Sequence, residues 1–114
     1  MKLEEIVNKL SLEVKTGTDN LDAEITAGYS SDLLSDVIGN ASEGDIWITL
    51  QAHQNIVAVA VMKSLSGIIL VNGKEPEETT RRKAEEEKIP ILSSRMPAFE
   101  LIGRLYELGI TGSK

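Results

Sequence analysis

The single histidine of the chain, His53, is the first residue to consider for chemistry, because histidine is the side chain that most often moves protons near neutral pH. It lies in the segment QAHQN (51–55), between two apolar runs. A catalytic histidine needs a group that orients its ring, and no carboxylate is near His53 in the sequence. One histidine without any cysteine also cannot supply the ligands of a zinc site. We therefore expect His53 to contact a ligand or to make a structural hydrogen bond.

Acidic pairs and phosphate-binding loops are the next candidates. Asp32 and Asp36 are four residues apart, so on a helix they would share one face and could bind a divalent cation, although an exposed helical face is the commoner use of such a pair. Gly73-Lys74 is followed by Glu75, and the upstream glycine of a phosphate-binding P-loop is absent. The sequence therefore predicts no metal site, no cofactor and no catalytic constellation.

Composition excludes several classes of protein. With 114 residues, 41% hydrophobic and 26% charged, the chain is expected to be one globular domain, residues 1–114. The absence of cysteine excludes disulfide bonds and cysteine-ligated clusters. A net charge of −6 argues against a nucleic-acid partner. No apolar run suits a membrane span, and the N-terminal MKLEEIVNKL is not a signal peptide, so we expect a cytoplasmic protein.

Periodic hydrophobic residues indicate the elements that must position any site. Apolar residues three and four apart predict helices, whereas short alternating or continuous apolar runs predict strands. Helices are predicted at 2–10, from Ser30 or Ser31 to Ala41, from Asn55 to before Gly67, at 77–88 and at 97–108. Strands are predicted at 12–16, 21–27, 46–50, 67–71 and 89–92.

The order of these elements predicts the fold class. From Asp45 onward strands and helices alternate, which is typical of a parallel sheet with helical crossovers. We therefore predict a three-layer α/β fold with a mostly parallel sheet of 4–5 strands and helices on both faces. The loop GTDN (17–20) is too short for a parallel crossover, so strands 12–16 and 21–27 would pair antiparallel, or one of them would be an edge strand that meets a second chain.

Local signals add detail at the helix ends. Ser30 or Ser31 is expected to cap the second helix, with Asp32 in its first turn. The buried stripe of that helix would comprise Leu33, Leu34, Val37, Ile38 and Ala41. Asn55 is the expected cap of the third helix. The final residues TGSK (111–114) are expected to fray.

Three polar corners are predicted at the carboxyl ends of the strands, where open α/β sheets bind ligands. They are AGYSSD (27–32), QAHQN (51–55) and VNGKEP (71–76), and two of them directly precede a helix whose first N–H groups could bind an anion. The candidate ligand-binding residues are Gly28, Tyr29, Ser30, Ser31, Gln51, His53, Gln54, Asn55, Asn72 and Gly73.

The runs GYSSDLLSDVI, GDIWITLQAHQNIVAVAV, GIILVNGKEPEE and KIPIL resemble the DRTGG-domain family over residues 12–110. The chain is similar to stand-alone members and to the N-terminal domain of HPr kinase/phosphorylase, whose kinase chemistry belongs to a separate P-loop domain. The resemblance also extends to inserts beside CBS domains in some pyrophosphatases and in long phosphotransacetylases. It implies an HPr kinase N-terminal-like fold, a regulatory or assembly role, and no kinase activity.

The chain departs from the motif that names the family. Where the family has Asp-Arg-Thr, this sequence has Ala52, His53 and Gln54; where the family has Thr-Gly-Gly, it has Val71, Asn72 and Gly73, so one glycine is kept. Asn55 stands at a position that is often aspartate. The nucleotide binding of some family members therefore does not transfer automatically to this chain.

Three hypotheses follow. The first is a non-enzymatic regulatory or ligand-sensing module, a homodimer that binds a nucleotide or phosphorylated metabolite. The second is a protein-interaction or assembly factor whose protein partner is a redox enzyme such as iron-only hydrogenase, because the resemblance implies an association with such genes. The third is a small phosphoanhydride hydrolase or phosphotransferase that uses His53.

Overall fold

The computed structural model describes residues 1–113, which form one sheet between two layers of helices. The helices are α1 (Leu3–Leu10), α2 (Leu34–Asn40), α3 (Asn55–Lys63), α4 (Glu78–Glu87) and α5 (Ala98–Glu107), and a 3₁₀ turn covers Thr18–Asn20. The strands are β1 (Glu13–Thr16), β2 (Gly28–Ser30), β3 (Ile46–Thr49), β4 (Gly67–Leu70) and β5 (Ile91–Ser93).

The sheet has the strand order β1-β5-β4-β3-β2. Strands β2 to β5 are parallel neighbours, and β1 pairs antiparallel with β5. Successive strands move across the sheet in one direction, so crossovers of one hand bring α2, α3 and α4 to the same face. Helices α1 and α5 pack on the opposite face. The predicted three-layer, mostly parallel α/β fold is confirmed.

Each face of the sheet has its own hydrophobic core. Trp47 and Ile68 belong to the core under α2, α3 and α4, whereas Ile48 and Ile69 belong to the core under α1 and α5. This alternation follows from the two-residue period of a strand. Every residue of β3 and β4 is buried, as the continuous apolar runs predicted. None of the helices in the described part of the chain is long and apolar enough to cross a membrane.

The predicted strand 21–27 is wrong, and so is its hairpin with 12–16. The segment has one isolated bridge, between Glu24 and Lys2. Its backbone carbonyls instead accept the first N–H groups of α1. The carbonyl of Ala23 accepts the N–H of Leu3 at 3.0 Å, and the carbonyl of Leu21 accepts the N–H of Glu4 at 2.9 Å. The first N–H groups of a helix have no partner inside it, so this segment caps α1.

The second helix begins later than predicted. Gly28 lies in strand β2, not at a corner before the helix, and α2 starts only at Leu34. The N-cap residue is Leu33, whose side chain makes no capping hydrogen bond, so neither Ser30 nor Ser31 is the cap residue that was predicted. Val37 and Ala41 are buried as predicted, but Leu33 is 65% exposed and Ile38 is 37% exposed. Leu33 precedes the first residue of α2, so it is not part of the buried face of the helix.

Fraying was predicted for residues 111–114; residues 111–113 are instead anchored to β2, and residue 114 lies outside the described residues. The N–H of Gly28 donates to the carbonyl of Thr111 at 2.8 Å, and the N–H of Ser113 donates to the carbonyl of Gly28 at 3.2 Å. These bonds form a parallel bridge between Gly28 and Gly112 on the outer edge of the sheet.

Candidate functional site

The carboxyl ends of β2, β3 and β4 meet at one edge of the sheet and enclose a small polar cavity of about 90 Å³. Its lining comes from the ends of these strands, from the segments that follow them and from the start of α5. The lining includes Ser30, Ser31, Asp32, Thr49, Leu50 and Asn72. We call this space the polar cavity. Because parallel strands end at the same edge, residues far apart in sequence converge here.

Asp32 organises the polar cavity. Its Oδ1 atom accepts the hydroxyl of Thr49 at 2.8 Å and the N–H of Leu50 at 2.8 Å. Its backbone carbonyl accepts the side-chain amide of Gln51 at 2.9 Å. The prediction that Asp32 lies in the first turn of α2 is therefore wrong, because its carboxylate is bound to the end of β3. The second oxygen, Oδ2, makes no hydrogen bond within the described residues, so it can accept one from a ligand.

Ser31 is fixed through its backbone. The indole N–H of the fully buried Trp47 donates to the Ser31 carbonyl at 2.9 Å, and the Ser31 Oγ accepts the N–H of Leu33 at 3.1 Å. A buried indole N–H needs an acceptor, so the core residue Trp47 sets the position of the segment that carries Ser31 and Asp32.

Tyr29 and Asp36 form a hydrogen-bonded pair on the other side of β2. The Tyr29 phenol donates to Asp36 Oδ2 at 2.9 Å, and Asn40 donates to Oδ1 at 3.0 Å. The hydroxyl of Ser31, followed by the phenol of Tyr29, holds the pKa of Asp36 below its ordinary value, and the bond to Asp36 raises the pKa of Tyr29. Asp32 and Asp36 thus have separate partners, and Asp32 precedes the helix, so the premise of a shared helical face is wrong.

Asn72 and Gly73 have positive φ angles of 58° and 67°, and both of their N–H groups are used inside the protein. Asn72 donates to the carbonyl of Met96 at 3.0 Å, and Gly73 donates to that of Ser94 at 2.7 Å. These bonds join the loop after β4 to the loop after β5. Asn72 lines the polar cavity, and its side-chain amide makes no hydrogen bond within the described residues.

His53 caps helix α3. Its Nδ1 atom accepts the N–H of Asn55 at 3.1 Å, and its carbonyl accepts the N–H of Ile56 at 3.1 Å. The carbonyl of Gln54 accepts the next N–H, from Val57, at 3.0 Å. The first N–H groups of α3 are therefore occupied, so the predicted anion site at this helix start is not formed, and Asn55 is the first helical residue rather than the cap.

The structure divides the ten predicted binding residues among three places. Ser30, Ser31 and Asn72 line the polar cavity, and Gln51 supports it through Asp32. Gly28, Tyr29 and again Ser30 line a second cavity, under α5. His53, Gln54, Asn55 and Gly73 are exposed and line neither cavity. Thr49 was missed, and Asp32 was placed in the polar corner 27–32 but not among the ten binding residues. The signal for both is that Asp32 continues the β2–β3 register opposite Leu50, and this signal requires knowledge of the strand pairing.

The second cavity has a volume of about 210 Å³ and lies between β2, α5 and the C-terminal residues. It shares Ser30 and Ile48 with the polar cavity. A wider depression of about 570 Å³ between the 3₁₀ turn and α4 is open, and Glu85 there already accepts the N–H of Gly17. Within residues 1–113, no three His, Asp or Glu residues are grouped as a metal site would require.

The chain matches a family model and is similar to solved structures. The family model of the DRTGG domain matches residues 5–108. The crystal structure of the CBS and DRTGG domains of the regulatory region of Clostridium perfringens pyrophosphatase, complexed with the activator diadenosine tetraphosphate, aligns with a TM-score of 0.76 and 20% identity. The alignment covers 96% of this chain and 47% of that one, so this chain spans about half of its neighbour. No curated protein matches the sequence.

Proposed function

Because the chain belongs to the DRTGG-domain family, we propose that it is a non-enzymatic regulatory module that senses a small ligand in the polar cavity. The observation that carries the proposal is the convergence of Ser30, Ser31, Asp32 and Asn72 at the carboxyl ends of three parallel strands. Ligands of open α/β sheets bind at this edge. Such a domain would regulate the activity of another domain or protein; the similar Clostridium perfringens domains belong to the regulatory region of a pyrophosphatase.

A nucleotide or phosphorylated metabolite is the proposed ligand class; because the polar cavity has a volume of only about 90 Å³, it would hold one polar group of such a ligand, and the rest would lie on the edge of the sheet outside it. The free oxygen of Asp32 suits the hydroxyl groups of a sugar, because an ionised carboxylate accepts hydrogen bonds and donates none. The Asn72 amide can donate to a phosphate oxygen, and the start of α5, where Ala98 lines the cavity, has the partial positive charge of a helix N-terminus. A phosphate would therefore lie on the Asn72 side, away from Asp32. The activator of the Clostridium regulatory region makes nucleotides the first class to test.

The absence of catalysis is part of the proposal. The Nδ1 atom of His53 is used as a helix cap, and within the described residues no carboxylate hydrogen-bonds its ring. A hydrolase or phosphotransferase that used His53 would need such an orienting group and a bound substrate within reach. His53 lines neither cavity, so the geometry supports the sensing role over the hydrolytic one.

Thermal-shift and calorimetric titrations with diadenosine tetraphosphate, ATP, AMP and pyrophosphate test the proposal. A ligand at one hundred times its Kd stabilises the folded state by about 2.7 kcal/mol. Asn72→Ala and Asp32→Asn should each weaken binding, whereas the matched control His53→Ala should leave the Kd unchanged. A ligand whose affinity survives both cavity substitutions, or no stabilisation by any of these compounds, would contradict this site.

A second candidate is the protein-interaction role, which a specific observation favours. Three large apolar side chains are exposed on segments that border the polar cavity: Leu33 at 65%, Leu50 at 40% and Phe99 at 93%. Leu50 lines the cavity, and Leu33 and Phe99 directly follow the lining residues Asp32 and Ala98. Contiguous exposed apolar patches mark interaction surfaces, and side chains on three segments that border one cavity are candidates for such a patch. We propose that this surface forms a homodimer or receives a protein partner such as a redox enzyme.

Sedimentation velocity measurements distinguish these partners. A homodimer should dissociate more readily in Phe99→Ser and Leu33→Ser, whereas Met62→Ser, on α3 and about as exposed as Leu33, serves as the control. A wild-type chain that is monomeric throughout the micromolar range would contradict the homodimer and leave the hetero-partner to be tested with purified candidates.

A further inference from the structure

Phe99 is the most exposed large apolar side chain of the described residues, at 93%. It lies in the first turn of α5, and Ile102, Gly103 and Tyr106 follow it at spacings of three, four and seven residues. Residues at these spacings share one face of a helix. Tyr106 is 54% exposed, and neither Ile102 nor Gly103 is buried. Helix α5 therefore presents a stripe of uncharged residues to solvent, which we call the α5 stripe.

The cavity of about 210 Å³ beside α5, which we call the α5 cavity, borders this stripe. Ile102 and Tyr106 line it and are partly exposed, so they form its rim. The buried side chains of Ile48, Leu105 and Ile110 form its floor. An apolar cavity of about 150 Å³ is large enough to bind benzene, so the α5 cavity has room for the ring of one phenylalanine.

Gly103 lets a second helix approach α5 closely. A Cβ atom at this position would have nothing within 4 Å among the described residues, so the fold of the single chain does not require a glycine here. Glycine is also an unfavourable residue in the interior of a helix. The distance between two packed helices depends on the side chains at their contact, and a glycine allows the shortest distance. The position thus suits the crossing point of two helices.

We propose that two copies of the chain pack antiparallel through α5, so that Phe99 of each copy enters the α5 cavity of the other. A two-fold axis between positions 102 and 103 places Phe99 opposite Tyr106 of the other copy and Ile102 opposite Gly103. The two Phe99 contacts then form together, as the symmetry of such an interface requires. This inference rests on the homodimer named above as a candidate and does not require a ligand in the polar cavity.

The charges beside the α5 stripe favour a second copy as the occupant. Glu100 and Arg104 are exposed on one flank of α5, where their charged groups are 3.9 Å apart. In the antiparallel arrangement Glu100 of one copy lies beside Arg104 of the other, so opposite charges meet on this flank. The net charge of −6 makes most contacts between two copies repulsive, whereas this flank carries one charge of each sign.

Disulfide cross-linking tests the packing directly, because the chain contains no cysteine of its own. Phe99→Cys and Tyr106→Cys, mixed in equal amounts under mild oxidation, should give a linked heterodimer, since facing positions come within disulfide range. One of the two Phe99 contacts is kept in this mixture. Phe99→Cys alone should link poorly, because its two copies lie about 10 Å apart along the helices. Met62→Cys, on α3, is the control and should link with neither variant.

Sedimentation equilibrium measures the Kd of the dimer in variants of the whole chain. Phe99→Ala should raise this Kd about a hundredfold, because two apolar contacts are lost at once. Gly103→Leu should raise it about tenfold or more by separating the helices. Gly39→Leu is the matched control, since Gly39 is an exposed glycine within α2 that also has nothing within 4 Å of a Cβ atom. Circular dichroism verifies that each variant is folded.

The proposal is overturned if Gly103→Leu leaves the Kd of the dimer unchanged, or if Phe99→Cys links with itself as readily as with Tyr106→Cys. A dimer that gives either result and dissociates in Leu33→Ser retains the homodimer candidate on the surface beside the polar cavity. A wild-type chain that stays monomeric overturns both. Asn72→Ala should leave the Kd of the dimer unchanged, which separates this outcome from failure of ligand sensing.

Discussion

The hydroxyl of Thr49 donates a hydrogen bond of 2.8 Å to the carboxylate of Asp32, and this contact joins the end of β3 to the segment that follows β2. The N–H of Leu50 donates to the same oxygen at 2.8 Å. Thr49 is buried, at 2% exposure, whereas Asp32 is exposed. The pair therefore links the interior of the sheet to the wall of the polar cavity, and it serves both stability and the proposed binding site.

Asp32→Ala should lower the free energy of unfolding by about 1–3 kcal/mol, because it leaves the Thr49 hydroxyl and the Leu50 N–H without their acceptor. Urea denaturation of Asp32→Ala, Thr49→Val and the double variant measures the coupling, which should be about 1 kcal/mol. Asp22→Ala, at an exposed aspartate without a recorded hydrogen bond, is the control and should change stability by less than about 0.5 kcal/mol. Strictly additive effects would show that the 2.8 Å contact contributes nothing in solution.

The Tyr29–Asp36 pair should make stability depend on pH at the acid end. Because the pKa of Asp36 is lowered in the folded state, its carboxylate contributes stability above its ordinary value of 3.8, and that contribution is lost as the pH falls through the folded-state pKa. Asp36→Asn should therefore destabilise the protein at neutral pH and converge toward the wild type in strong acid. Tyr29→Phe should show part of the same effect. Parallel curves of unfolding free energy against pH for wild type and Asp36→Asn would refute the assignment.

His53 should contribute to stability as a helix cap. His53→Ala removes the acceptor of the Asn55 N–H, so we expect a loss of about 0.5–1 kcal/mol. His53→Asn and His53→Ser supply an alternative capping oxygen and should recover most of that loss. Equilibrium unfolding in urea measures the difference, and an alanine variant as stable as the asparagine one would argue against capping by this residue.

Gly17 and Gly103 should respond in opposite ways to alanine. Gly17 has a φ angle of 71°, and a Cβ atom there would lie 2.6 Å from Pro90 Cα, so Gly17→Ala must displace the backbone between β1 and β5. We expect a loss of about 2–3 kcal/mol. Gly103 lies within α5 with nothing within 4 Å of a Cβ atom, so Gly103→Ala should gain about 0.5–1 kcal/mol through helix propensity. Thermal melts of the two variants, moving in opposite directions from wild type, are the check.

Much of the fold can be read from local sequence, because burial on one or both sides of an element leaves a periodic pattern. The apolar runs around Trp47 and Ile69 predicted central strands, and both strands are buried along their whole length. The alternation of strands and helices from Asp45 onward predicted the parallel sheet. The position of the candidate site at the carboxyl ends of the strands follows from the same topology. Ser30, Ser31 and Asn72 were predicted on this basis, and all three line the polar cavity.

The prediction from sequence was wrong where a segment is held by backbone hydrogen bonds rather than by periodic burial of its side chains. Residues 21–27 alternate like a strand, but the carbonyls of Leu21 and Ala23 are used by the first N–H groups of α1. Asn55 has the side chain of a typical cap, yet His53 is the residue whose ring accepts the N–H. In both cases a backbone hydrogen bond can be made by several nearby groups, and sequence spacing alone does not choose among them.

The sequence by itself determined the fold class, the buried strands and the edge of the sheet at which a site would form, since hydrophobic periodicity is a local property of the chain. Only the tertiary structure decided that Asp32 binds the end of β3, that the first N–H groups of α3 are occupied by its neighbouring residues, and that residues 111–113 pair with the outer edge of β2. These contacts depend on the register between β2 and β3 and on the path of the chain end, which are set by the packing of distant segments and leave no periodic signal.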